Sequence, residues 1–212
     1  MGGIVLELQR EALEQDGDIL SLLRKAYLIA KKLQLNDFEQ WVNKELKGYE
    51  NDDNLPTYRC LYGEVKAWNP YHGWIPVVFP EEYGFLNEYK ADDSIANLID
   101  VYRNSDGHMA VVNFPAGINT MLNETAPFQT KYALFISVNQ IFNIGESVRT
   151  AILEWSIALE ENGIIGEGMQ FSKEEKKIAT TTPTINNYIT NFFGDVSNSQ
   201  VQQGTENSTQ AQ

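Results

Sequence analysis

Trp68-Asn69-Pro70-Tyr71-His72-Gly73-Trp74-Ile75-Pro76 gathers three aromatic rings, two prolines and one of the chain's two histidines into nine residues. Asn69-Pro70 starts a turn, because proline presets φ and the asparagine side chain bonds its own backbone, while Gly73 admits a positive φ. The stretch therefore reads as the connection between two strands. Before it, Tyr58 to Trp68 alternates apolar and polar residues and is rich in Val and Tyr, a strand pattern. After it, Ile75 to Phe79 reads as a second short strand, held to a sheet edge by Pro76 and Pro80, which offer no N–H to a ladder.

Upstream the period changes from two to 3.6. Val5, Leu8 and Ala12 share one helical face until Asp16-Gly17-Asp18 breaks it. Ile19, Leu22, Leu23, Ala26, Ile29, Ala30 and Leu33 form the apolar stripe of a second helix. Arg24, Lys25, Lys31 and Lys32 lie largely off that stripe, as on a solvated basic face. Asn36 is placed to cap a third helix, with Glu39 positioned to complete a capping box. That helix buries Phe38, Trp41, Val42 and Leu46 and carries Lys44 and Lys47 in its last turn before Gly48. Short connections between the three helices predict a small antiparallel bundle. The acidic turn Asn51-Asp52-Asp53-Asn54-Leu55-Pro56 then ends the helical section.

Downstream, Asp93 or Ser94 caps a short helix containing Ile95, Leu98 and Ile99. Asp106-Gly107 turns into a strand from His108 to Phe114, and Pro115 opens a helix with Ile118, Met121 and Leu122. Tyr132 to Val138 is apolar enough to be central in its sheet. A long helix from about Asn139 to Glu161 carries Val148, Ile152, Trp155 and Leu159 on a narrow seam. Gly163 stops it, and Ser172-Lys173-Glu174-Glu175 is a capping box for one more short helix. The whole pattern predicts an α+β fold with an N-terminal helical section, a small mixed or antiparallel sheet, one long C-terminal helix and a polar tail. It divides into one domain over residues 1–179, helical over 4–48 and mixed over 56–179, and a low-complexity tail or oligomerisation segment over 180–212.

Composition narrows the partners. The chain has 212 residues, 42% of them hydrophobic, so it can bury a real core. Its net charge of −13 opposes broad nucleic-acid binding, which depends on neutralising phosphates, and adsorption to anionic membranes. Residues 1–49 are close to neutral, with 7 basic and 8 acidic residues, so a local basic surface could lie only on the N-terminal helices. Cys60 is the single cysteine, and neither a signal peptide nor an apolar run of about 20 residues is present, which together predict a cytoplasmic location.

The chemistry-bearing residues do not assemble a reaction. A Cys60–His72 nucleophile pair would need hydrogen-bond reach and an orienting third group, and nothing in the spacing provides them. One Cys and two His, His72 and His108, match no zinc-ligand spacing. Glu81-Glu82 and Asp92-Asp93 are adjacent pairs whose carboxylates diverge rather than converge on a metal. Residues 163–168 lack the preceding strand of a dinucleotide fingerprint and read as a turn. No catalytic set, metal or cofactor is therefore assigned. Trp68, Tyr71, His72 and Trp74 stand as candidate ligand-binding or partner-binding residues. They serve a protein-docking surface, a base-stacking nucleotide pocket lined by Trp68, Tyr71 and Trp74, or an effector nuclease or nucleotide hydrolase using His72 with nearby carboxylates.

No Lys or Arg follows Lys177, and residues 180–212 are rich in Thr, Asn, Gln and Ser. Ile185, Tyr188, Ile189, Phe192, Phe193 and Val196 fit a helical stripe, or with Val201 short β segments. Gln200-Val201-Gln202-Gln203-Gly204 is uncharged and free of proline, a segment able to stack with copies of itself through amide ladders. Tyr188, Phe192, Phe193, Val201, Gln202, Gln203 and Gly204 are thus the candidates for self-association, and the expected partners are a second copy of the chain or another protein.

Several runs resemble one bacterial family. They are Leu6-Glu7-Leu8-Gln9-Arg10-Glu11-Ala12-Leu13, Leu22-Leu23-Arg24-Lys25-Ala26, Phe38-Glu39-Gln40-Trp41-Val42-Asn43-Lys44-Glu45-Leu46-Lys47-Gly48-Tyr49 and Gly63-Glu64-Val65-Lys66-Ala67. With the aromatic stretch from Asn69 to Pro76, and Gly166-Glu167-Gly168-Met169-Gln170-Phe171-Ser172 downstream, they resemble the AbiTii domain. The resemblance is strongest over about residues 5–80. It implies a part in abortive-infection defence against phage, alone or as the N-terminal module of larger effectors. It implies no reaction and carries over no catalytic residues. The expectation is a non-enzymatic interaction or sensor module.

Overall fold

The computed structural model describes residues 2–14, 17–50, 54–105, 108–124 and 126–193. Helices α1 (Ile4–Leu13), α2 (Ile19–Leu33) and α3 (Asn36–Lys47) follow the predicted stripes, and Leu8, Leu23, Ile29 and Val42 are fully buried. Asp18 caps α2 by accepting from the N–H groups of Leu20 and Ser21. The basic face of α2 is largely spoken for. Lys25 pairs with Glu7 and Glu11, Lys31 with Glu39 at 2.6 Å, and Lys32 donates to the Met169 carbonyl.

The start of α3 departs from the sequence expectation. Its N-cap is Leu35 rather than Asn36, and no capping side chain is used. Gln34 instead takes a left-handed conformation (φ 63°), and the Leu35 N–H donates to the Ala30 carbonyl at 3.0 Å. This is the double closure of a Schellman ending. It folds the fully buried Leu35 into the core, and the apolar contact decides the cap.

Strands β1 (Cys60–Asn69), β2 (Gly73–Pro76), β3 (Glu88–Lys90), β4 (Met109–Asn113) and β5 (Tyr132–Ser137) form one antiparallel sheet in the order β2-β1-β5-β4, with β3 also on β1. β5 is central, as its apolar run predicted. Helices α4 (Ile95–Asn104) and α5 (Ala116–Glu124) lie between these strands in the chain. Ser94 is the residue that caps α4, through its hydroxyl to the Asn97 N–H. The Gln140 side chain continues the β5 ladder, accepting from the Tyr62 N–H at 3.0 Å and donating to its carbonyl at 2.7 Å.

The long helix α6 (Val138–Glu161) buries Val148, Ile152, Trp155 and Leu159 completely. Trp155 stacks on Phe38 of α3, with ring centroids 3.7 Å apart and planes 13° from parallel. After α7 (Lys173–Thr181), the short helices α8 (Pro183–Asn186) and α9 (Tyr188–Phe193) keep packing on α3 and α6. Ile185 is fully buried and the Tyr188 ring lies 6.2 Å from Phe38, so the packed body runs beyond residue 179. The start of α1 is held by the predicted turn at residues 163–168. The Ile165 and Gly166 carbonyls accept from the first N–H groups of α1 at 3.2 and 3.1 Å. That approach requires Gly3, since a Cβ there would sit 2.1 Å from Ile165 Cγ2. No described helix is long and apolar enough to cross a membrane.

Candidate interaction surface

The sheet has one buried face and one wet face. On β1, Leu61, Val65 and Ala67 point into the core, while Tyr62, Glu64 and Trp68 are exposed. On β4, Met109, Val111 and Asn113 are exposed. The register Glu64↔Phe135 and Phe135↔Val111 places these residues side by side across three strands. The wet face thus carries Tyr62, Trp68, Trp74, Phe135, Val111 and Met109. Its two central charges neutralise each other, because Lys66 Nζ lies 3.2 Å from Glu64 and also 4.8 Å from the Phe135 ring. Tyr62, Met109, Val111 and Phe135 were not singled out from the sequence. Their signal was the period of two, which puts them on the face of Trp68.

The aromatic stretch closes β1 onto β2. Asn69 faces Gly73 across a three-residue loop, with Gly73 at φ 71°, the geometry of a turn followed by a left-handed glycine. Asn69 Oδ1 accepts from the backbone N–H groups of Tyr71 (2.8 Å) and His72 (3.1 Å), which fixes the loop. The Trp68 N–H donates away from β2, to Lys131, so Trp68 and Trp74 are a directly opposed pair without mutual backbone bonds. Such pairs approach closely, and their rings meet edge to face at 5.5 Å; Trp74 then meets Phe135 at 5.3 Å. Tyr71 stands at the tip, 91% exposed, and His72 beside it is exposed as well. The stretch is a turn that presents Tyr71 and His72 to solvent, with Trp68 partly exposed beside them.

The other candidate chemistry is kept apart by geometry. Cys60 opens β1 and His72 lies beyond its far end, about 30 Å away at roughly 3.3 Å per residue. Burial, with the neighbouring Glu88, raises the Cys60 thiol above its ordinary pKa, the reverse of an activated nucleophile. Asp92 and Asp93 engage through their backbone carbonyls, which accept from Tyr49 and Arg59. Among the described residues no cluster of His, Cys, Asp and Glu could hold a metal ion. The candidates for self-association divide. Tyr188 packs inward, while Val201, Gln202, Gln203 and Gly204 lie outside the described residues, as do the side chains of Phe192 and Phe193.

Sequence reasoning missed a buried charge cluster among the described residues. Glu45 of α3 and Arg59 before β1 are both fully buried and paired through two bonds, at 3.1 and 2.6 Å. Arg59 also donates to the carbonyls of Ala91 (2.6 Å) and Asp93 (2.8 Å). Tyr49 and Tyr58 each donate a phenolic proton to Glu45, and Trp41 donates to Tyr58. Burial first, then the Glu45 carboxylate, pushes both phenols well above their ordinary pKa. Burial opposes the Arg59 charge, yet Glu45 holds its pKa above the ordinary value. The available signal was that Glu45 falls four residues after Trp41 and seven after Phe38, on the apolar stripe itself. The hub ties α3 to the start of β1 and to the entry of α4.

No curated protein and no solved structure matches this chain. The AbiTii family model matches residues 3–184, from the start of α1 into α8. The chain belongs to the AbiTii family, a membership that implies a part in abortive-infection defence against phage.

Proposed function

We propose that the chain serves that defence as a non-enzymatic interaction module, docking a protein partner on its hairpin tip and the wet face of its sheet. The observation that supports this reading is Tyr71, almost fully exposed on a loop that Asn69 and Gly73 hold rigid. Tyrosine and tryptophan are enriched among residues that dominate binding energy, and a tyrosine side chain on a fixed backbone has only two torsions to immobilise on docking. Trp68 at 43% exposure and Val111 at 48% extend the apolar patch along the sheet. Base stacking is served less well, because Trp68 and Trp74 close on each other edge to face rather than leaving a slot between parallel rings. The hydrolase reading lacks geometric support, since no described carboxylate is hydrogen-bonded to His72.

Phage plating on cells carrying the full chain tests the proposal. Tyr71→Ala is expected to reduce protection about tenfold or more while moving the thermal midpoint by less than about 2 °C. Full protection by a folded Tyr71→Ala protein would sink it. His72→Ala is expected to protect like the parent; loss of protection with the fold intact would favour the hydrolase. Self-association through residues 194–212 is a second form of the same proposal. Light scattering of the full chain against one ending at Phe193 examines it, and equal masses at all concentrations would count against it.

A further inference from the structure

Among the described residues, strand β4 is the free edge of the sheet opposite the hairpin. The Val138 N–H donates to the His108 carbonyl at 3.0 Å, and Ala110 and Val112 oppose Ile136 and Leu134. The backbone groups of residues 108, 110 and 112 therefore turn toward β5. Those of Met109, Val111 and Asn113 turn away from it, and among the described residues no strand pairs with them. β4 lacks three of the usual protections of an edge: Met-Ala-Val-Val-Asn holds no proline and no charge, and its register runs without a bulge.

Beside this edge lies a cavity of about 650 Å³ between β4 and α4. All five β4 residues line one wall, and Leu98, Val101 and Asn104 of α4 line the other, with Ile136 and Ile141 among the floor residues. An open strand edge running beside an apolar trough is the geometry that accepts an added strand: main-chain bonds supply affinity, and alternate side chains fill the trough.

We infer that this groove binds an extended segment of a partner protein, as a further strand on β4. Partner residues opposite Ala110 and Val112 point into the trough and are apolar. The residue between them exchanges both backbone bonds with Val111. The charged residues lining the trough are Asp93 and Asp100, both acidic, so the segment carries Lys or Arg beside its apolar positions. The same charge argument disfavours the other occupants. Residues 194–212 of this chain contain Asp195 and Glu206 and no Lys or Arg. A second copy laid edge to edge would bring its own carboxylates to this trough. The groove lies at the opposite edge of the sheet from Tyr71; Met109 and Val111 are common to both surfaces, and Tyr71→Ala tests the docking surface without touching the groove.

The test uses the full chain and a fluorescein-labelled octapeptide of alternating Val and Thr with Lys at each end. Fluorescence anisotropy is expected to give saturable binding, weakened several-fold when Glu replaces the terminal Lys residues. Val111→Pro removes an outward N–H without touching the β4–β5 ladder and is expected to weaken binding at least about tenfold. Asp100→Lys, on the exposed side of α4, is expected to reverse the preference between the Lys and Glu peptides. Amide exchange at Met109, Val111 and Asn113 should slow only when the peptide is added. No binding by the parent chain overturns the inference, as does unchanged binding by a folded Val111→Pro protein. Protection of those amides in the free chain would assign the edge to the chain's own tail, and protection that grows with protein concentration would assign it to a second copy. Either result overturns the partner.

Discussion

Arg59 and Glu45 show how much one buried charge pair can control. Both side chains are out of water, so each depends on the other to offset its lost hydration. Arg59→Met should therefore lower stability by about 3–5 kcal/mol in urea unfolding. Adding Glu45→Met to it should cost far less than a second such loss, because no unpaired charge is then buried; additive losses would show that the two do not act as a unit. The two phenols that donate to Glu45 add a pH signature. Their pKa values rise on folding above the ordinary 10.0, so their contribution is complete below pH 10 and is lost as the pH climbs toward the raised values. Stability should fall from about pH 10 upward, and Tyr58→Phe should flatten that limb; an unchanged slope would remove Tyr58 as its source. Local pattern marks only Glu45, on the apolar stripe of α3, and not the partners that it finds. Burial of Arg59 depends on carbonyls of Ala91 and Asp93, more than thirty residues away.

Among the elements, the hairpin was the most legible. Asn, Pro and Gly each act on the backbone within a few residues, so the turn follows from the stretch alone. The start of α3 was less so. Asn36 is a better capping residue than Leu35, but the burial of Leu35 outweighs a single capping bond, which contributes about 1 kcal/mol. The hairpin also separates two roles that one aromatic-rich stretch had blurred. Trp74→Ala removes ring contacts to both Trp68 and Phe135 and should cost about 1–3 kcal/mol in chemical denaturation. Tyr71→Ala should stay within about 0.5 kcal/mol of the parent, since its ring touches water. Equal losses at the two positions would mean that the tip ring is packed after all.

For the whole molecule, the question is where the body stops. Composition sets the tail at residue 180, because the chain beyond it is polar and lacks basic residues. The fold nevertheless continues through α8, where Ile185 is completely buried. Ile185→Ala should cost about 2–4 kcal/mol and lower the thermal midpoint accordingly; a loss below about 0.5 kcal/mol would place α8 outside the cooperative unit. What the sequence determined by itself was local: helical and strand periods, the turn chemistry of residues 69–73, the capping box at Ser172 and the centrality of Tyr132 to Ser137. Each rests on interactions among residues a few positions apart. Only the tertiary structure decided that one sheet face stays wet, that β4 is an edge strand beside α4 among the described residues, that Glu45 and Arg59 meet, and that Ile185 has a surface to bury against. Those outcomes depend on which distant segments come together, and a polar or apolar residue carries no mark of the neighbour it will find.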